Sequence, residues 1–268
     1  MHRTVNSPAA EGRLHTLLES ALRHERLSVL LLLILAPLIS WIWIVVMARD
    51  MYGSMSGASA WMMTVRWDVP HLLLLWAMWA VMMTAMMLPS ASPMLLLYGT
   101  IARRSAQVSD PRQIYGFAAG YIFVWAAFSG GATVLQRILS GLLVLSPMME
   151  ITSPKTSAVL LFIAGIYQLT PLKLACLRTC QSPLGFLMSH WRPGWSGAFH
   201  MGVRHGAYCV GCCWALMLLL FAGGVMNLIV IAALTAFVAF EKLARSGLYG
   251  ARICGIILIL AGLWMLLR

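Results

Sequence analysis

A chain of 268 residues in which 61% are hydrophobic and 10% charged is no ordinary soluble domain, whose charged fraction is nearer ~25%. Its formal charge of +11 does not indicate nucleic acid, because the basic residues are scattered beside apolar runs, the pattern of headgroup anchoring and topology setting. Composition leaves an all-α, polytopic bundle of transmembrane helices in contact with the lipid bilayer.

Taken in chain order, residues 1–27 form a basic tail and residues 28–268 a single transmembrane domain. The apolar run 28–48 is long enough to span and has no convincing cleavage site after it, so it reads as a retained first helix. Continuous hydrophobicity marks about seven spans, at 28–48, 71–100, 114–142, 157–178, 206–222, 226–242 and 251–267. Pro89 and Pro93 predict a break in the second span, with irregular backbone beyond it. Gly223 and Gly224 predict a tight hairpin between the fifth and sixth. The stretch from Gln181 to Arg204 is the longest internal connection, and Trp191 and Trp195 suggest that it lies on the membrane surface. No internal repeat of the kind found in inverted-repeat transporters is visible.

Loop arginines set an expected orientation. Arg3, Arg13, Arg23 and Arg26 precede the first span, Arg103, Arg104 and Arg112 follow the second, Arg178, Arg192 and Arg204 follow the fourth, and Lys242, Arg245 and Arg252 follow the sixth. All fall on one side, which the positive-inside rule makes cytoplasmic. The opposite side has Arg49, Arg66, Lys155 and Arg268, largely offset by Asp50, Asp68 and Glu150. The N-terminus is thus expected inside and the C-terminus outside.

Five of the six cysteines lie between Cys176 and Cys213. Cys176 and Cys180 share a helix face at a spacing of four, and His205, Cys209 and Cys212 or Cys213 share another. Two neighbouring helices so built aim soft ligands at one point, which suits a soft or borderline metal ion, Cu(I) first and Zn(II) second. Lys173 and Arg178 bring positive charge near Cys176 and Cys180, favouring thiolate. Glu241 and Lys242 read as an ionisable pair, either functional or snorkelling. His190 and His200 read as loop residues and Cys254 as packing.

The second span carries Met78, Met82 and Met86 in one row and Met83 and Met87 in another. Thioethers select Cu(I) and barely bind Zn(II), yet a methionine stripe also serves helix packing. Met47, Met51, Met55, Met62, Met63, Met148, Met149 and Met226 fall toward the outer side, where loops meet water and packing demand is low. They favour the metal reading.

The segments MWAVMMTAMMLPSASP (78–93), PLKLACLRTCQSP (171–183) and GAYCVGCCWALMLLLFAGGVMN (206–227), continuing to Glu241 and Lys242, resemble a bacterial family of predicted metal-binding integral membrane proteins of unknown function. The resemblance spans residues 70–245, and its matching positions include Met82, Met83, Met86, Met87, Pro171, Lys173, Asn227 and the clustered cysteines. It implies metal binding in a bacterial inner membrane, with no assigned substrate or reaction.

The sequence therefore reads as a membrane protein holding Cu(I) through Cys176, Cys180, His205, Cys209, Cys212, Cys213, Met82, Met83, Met86 and Met87, for transport or for exchange with a metal donor or acceptor protein. A thiol-disulfide oxidoreductase exchanging electrons between the Cys209/Cys212 pair and Cys176/Cys180 is the alternative. A metalloenzyme ranks last, because no general base or nucleophile stands out beyond Glu241.

Overall fold

The computed structural model describes residues 8–53, 68–104, 112–142, 144–146 and 149–267, save the side chains of 8–26, 103, 104 and 112. Met55, Met62, Met63 and Met148, and most of the arginines that set the expected orientation, lie outside the described residues or side chains. Among the described residues the chain forms nine helices: α1 (Pro8–Tyr52), α2 (Val69–Arg104), α3 (Arg112–Gly141), α4 (Pro154–Leu169), α5 (Pro171–Gln181), α6 (Pro183–His190), α7 (Gly194–Gly223), α8 (Leu228–Leu243) and α9 (Gly247–Leu267).

Five segments are long and apolar enough to cross a membrane: Leu27–Tyr52, Val69–Ala102, Gln113–Gly141, Gly194–Gly223 and Gly247–Leu267. The expected fourth span is not one helix, since α4 and α5 meet at an angle of 64°. The physical reason lies in the sequence: Pro171 has no N–H to continue α4 and pushes Thr170 into extended backbone, with φ −68° and ψ 145°. The Thr170 hydroxyl then donates to the Tyr167 carbonyl at 2.7 Å and accepts from the Lys173 N–H at 3.3 Å, closing one helix and opening the next. The expected sixth span becomes α8, only 16 residues long, about 24 Å at 1.5 Å per residue and short of a full crossing.

Three further expectations change. Helix α2 runs unbroken through Pro89 and Pro93, with the Ser90 and Ser92 hydroxyls bonding back to the Met87 and Leu88 carbonyls at 2.9 and 3.0 Å. Such local hydroxyls are how apolar helices accommodate proline. The 181–204 connection is mostly helical, comprising α6 and the first turns of α7. Met47, Met51, Met149 and Met226 are buried in the core and not spread at a watery loop edge. The Gly223–Gly224 hairpin forms as expected: Gly224 takes φ +92°, and the Asn227 side chain caps α8 at the Ile229 and Val230 N–H groups.

Helix α7 is the central element, packed on α3, α4, α5 and α8. Its approach to α3 depends on two small-xxx-small pairs, Gly116/Gly120 and Gly202/Gly206. A Cβ at Gly202 would lie 2.0 Å from the Phe117 carbonyl oxygen, and one at Gly120 would lie 2.2 Å from that of Phe199. At the far side α4 and α9 meet through Gly165 and Gly255 in the same manner. Apolar side chains such as Ile39, Ile42, Ile253 and Leu260 point outward from α1 and α9.

Candidate metal centre

Helix α7 carries Cys209, Cys212 and Cys213 at spacings of three and four, so all three turn toward the bundle interior, where they are buried. The Cys212 and Cys213 thiols donate to the Cys209 carbonyl at 3.1 and 2.9 Å, which folds them back along their own helix. Cys180, delivered by the break before α5, is buried in the same core as Cys212 and lines a cavity with Cys209. Met87 of α2 brings its sulfur 3.9 Å from Cys213 Sγ. The Tyr121 hydroxyl of α3 stands 3.1 Å from Cys209 Sγ and also donates to the Met87 carbonyl at 3.2 Å. Soft atoms from α2, α5 and α7 thus converge within one buried cluster.

Lys242 of α8 enters the same cluster. Its Nζ lies 2.9 Å from Cys209 Sγ, 3.2 Å from Ser90 Oγ and 3.7 Å from Met87 Sδ. A cavity of about 310 Å³ opens on this group, lined by Ser90, Tyr121, Cys180, His205, Cys209 and Lys242 among others. Among the described residues no group of three His, Cys, Asp or Glu side chains stands ready arranged around a metal position. The thiols are adjacent, but they point to their helix carbonyl, to each other and to an ammonium group.

The ionisable pair is not the expected one. Glu241 and Lys242 are consecutive on α8 and face different neighbours. Both Glu241 carboxylate oxygens accept from Lys173 Nζ of α5, at 2.6 and 2.7 Å, and Gln168 Nε2 of α4 donates to Glu241 Oε1 at 3.0 Å. Lys173 Nζ also contacts Gln168 Oε1, and Gln181 Nε2 donates to the Glu241 carbonyl at 2.6 Å. Lys173 is therefore neutralised by Glu241 instead of serving the α5 thiols, Arg178 is exposed, and the cation beside the cysteines is Lys242.

The predicted residues sort accordingly. Cys180, Cys209, Cys212, Cys213 and Met87 come together. Cys176 sits against Gly211, whose missing side chain admits it: a Cβ there would lie 2.9 Å from Cys176 Sγ. His205 lines the cavity one turn before Cys209, but its ring is packed among Phe117, Tyr121 and Phe186, with centroids 6.0, 5.9 and 5.3 Å away. Its Nδ1 is buried and, among the described residues, has no hydrogen-bond partner, a nitrogen that a ligand in the cavity could satisfy. Met82, Met83 and Met86 continue from Met87 into the core, fully buried together with Met78. His190 and His200 line a separate cavity, and Cys254 lies on α9 beside Gln168.

Lys242 and Tyr121, which contact the Cys209 thiol, and Ser90, which contacts Lys242, complete the cluster, and sequence spacing marks none of the three as belonging to it. For Lys242 a signal existed, since a lysine closing an apolar helix at the depth of the cysteines needs a buried partner. Ser90 sits in the LPSASP segment, where its hydroxyl first suggests a turn. Tyr121 carries no such signal in a helix rich in aromatics.

No curated protein and no solved structure matches the chain. A family model described as a copper chaperone, PpoB2, matches residues 76–265, a stretch that contains the whole cysteine cluster, the α2 methionines and Lys242. The chain thus belongs to the PpoB2 copper chaperone family.

Proposed function

We propose that the protein is a membrane-embedded copper carrier that takes Cu(I) as cargo among Cys209, Cys212, Cys213, Cys180 and Met87 and passes it to an acceptor protein or across the bilayer. The observation that carries this reading is the meeting of Met87 Sδ with the Cys213 and Cys209 thiols around a common point. Thiolate with thioether is a donor set for Cu(I) more than for Zn(II). His205 Nδ1 supplies a further donor at the cavity wall, and Cys176 stands behind the set. Rotating the thiols away from the Cys209 carbonyl, together with withdrawal of Lys242, converts the closed cluster into a ligand shell. The cavity provides the room for both movements and for entry from one end of the bundle.

Membrane insertion is supported by the length of the five apolar helices and by the apolar side chains that α1 and α9 turn outward, which lipid solvates and water does not. The loop arginines support a cytoplasmic position for the cavity, in the inner membrane of a bacterium.

Elemental analysis of the protein purified under reducing conditions tests the reading. Copper should accompany the wild type, and Cys180→Ser and Cys209→Ser should each lose most of it, because an incomplete shell under-coordinates the ion. Full copper retention in both variants removes the cluster as the cargo site. The burial of the free thiols of Cys180 and Cys212 in one core cluster favours one second reading, a thiol redox pair. Rapid formation of a Cys180–Cys212 disulfide on mild oxidation, in a wild type that carries no copper, supports that reading instead.

A further inference from the structure

A second cavity lies apart from the copper cavity. It has a volume of about 400 Å³, lies between α6 and the first turns of α7, and is lined by Ser189, His190, Arg192, His200, Met201 and Arg204 together with Trp191 and Val203. Two arginines and two histidines face it, and among the described residues no acidic side chain does. Among the described residues neither arginine forms an ion pair, whereas Lys173 is paired with Glu241. The histidine rings are held in place: His190 Nδ1 lies 3.0 Å from the Phe186 carbonyl, and His200 Nδ1 lies 3.1 Å from that of Ser196. Each Nδ1 is thus committed to its own helix, leaving Nε2 as the ring nitrogen available to a ligand.

The depth of this cavity follows from the length of α7. Thirty residues extend about 45 Å at 1.5 Å per residue, roughly 15 Å more than a ~30 Å hydrocarbon core. The opposite end of α7 is fixed by the Gly224 turn into α8, so the surplus falls on the Gly194–Arg204 end. Trp191 and Trp195 flank that end, and Trp195 is exposed, as expected of residues at the headgroup level. A basic cavity at that depth meets phosphate.

We propose that this cavity binds a phosphate-class oxyanion through Arg192 and Arg204, and that the headgroup of an anionic phospholipid supplies it. Guanidinium groups bind phosphate oxygens by charge-assisted, often bidentate hydrogen bonds, which a neutral zwitterionic neighbour cannot strengthen by net charge. Occupancy bears on the copper cavity through one shared wall: the Phe186 ring lies 4.8 Å from that of His190 and 5.3 Å from that of His205. The binding itself does not depend on the copper reading.

The full-length protein in detergent, titrated with phosphatidylglycerol, with phosphatidylcholine and with inorganic phosphate, and read by native mass spectrometry, tests the site. Wild type should bind phosphatidylglycerol in preference to phosphatidylcholine, and Arg192→Gln/Arg204→Gln should lose that affinity by about tenfold or more with its binding of phosphatidylcholine unchanged. Both arginines are exposed, so the variant should fold, as its unchanged melting temperature will report. Arginine-dependent binding of inorganic phosphate without a preference for phosphatidylglycerol retains the oxyanion site and overturns its lipid source. Equal binding of phosphatidylglycerol and of phosphate by wild type and double variant overturns the site altogether.

Discussion

Lys242 Nζ stands 2.9 Å from Cys209 Sγ and 3.7 Å from Met87 Sδ, so a cation of the protein's own already occupies the point at which its soft donors meet. On the proposed reading this ammonium group satisfies the buried sulfur atoms in the absence of cargo and leaves when the metal ion arrives. Replacing it with Lys242→Met keeps most of the volume and adds a thioether. The copper-free variant should be less stable by about 1–3 kcal/mol, the cost of leaving a buried polar group without its partner, while copper content should hold or rise. Thermal unfolding of the copper-free protein and elemental analysis measure the two effects. Lost copper with unchanged stability instead makes Lys242 a support of the ligand shell and not a place-holder.

The Lys173–Glu241 pair clamps α5 to α8 from the other side, with Gln168 bridging from α4. Since α5 presents Cys180 and α8 presents Lys242, the clamp sets the distance between them. Removing one partner leaves an isolated buried charge, and Lys173→Met alone should cost about 3–5 kcal/mol. The double variant Lys173→Met/Glu241→Met removes both charges and should recover most of that loss. A double variant as unstable as the single one in detergent unfolding experiments shows that the hydrogen bonds, and not the lone charge, carry the effect.

How far this arrangement can be read from the sequence depends on whether a contact is local or long-range. The helical class, the Gly223–Gly224 hairpin and the shared faces of Cys209, Cys212 and Cys213 follow from periodicity and from single-residue conformational preferences. The pairing of Lys242 with Cys209 spans 33 positions and that of Lys173 with Glu241 spans 68, and sequence-adjacent charges at 241 and 242 suggest each other before they suggest distant partners. Proline misled in both directions. Pro171 divides what hydrophobicity draws as one span, because Thr170 before it turns to extended backbone and caps the two helices, whereas α2 runs on through Pro89 and Pro93 with neighbouring hydroxyls returned to its backbone. The paired glycine motifs of α3 and α7 were present as spacing, but their meaning depends on which helices are neighbours.

Those glycines supply the next prediction. Gly202 lies against the α3 backbone so closely that a single methyl group would sit 2.0 Å from the Phe117 carbonyl oxygen, and backbone cannot rotate out of the way as a side chain can. Gly202→Ala should therefore force α3 and α7 apart and displace Tyr121 from Cys209, a contact of 3.1 Å. Expected are a stability loss of about 1–3 kcal/mol, the usual cost of overpacking, and weakened copper retention. Gly131→Ala on α3, where an added Cβ meets nothing within 4 Å, is the control. Similar behaviour of the two variants in melting temperature and copper content counts against the close approach as the feature that holds the cluster together.

The methionines of α2 pose a choice between a packing role and a route for cargo. Met78, Met82, Met83 and Met86 are fully buried and belong to one continuous core with Met47, Met51, Met149, Met226 and the cysteines. Burial of this kind suits packing, because a flexible thioether fills irregular space between helices. It also places several buried thioethers along α2 beyond Met87, which suits a Cu(I) route and offers nothing to Zn(II). Leucine separates the two roles, since it has nearly the same volume and no sulfur. Replacing Met78, Met82, Met83 and Met86 together by leucine should cost less than about 1.5 kcal/mol per site and leave the protein folded and inserted, with copper still bound at the unaltered Met87 and cysteine cluster. If the series is a route, cells carrying this variant will differ from wild type in copper or silver accumulation. If a folded variant handles both metals as the wild type does, the stripe is packing, movement across the bilayer drops out of the proposal, and delivery from the cysteine cluster to an acceptor protein is the function that remains.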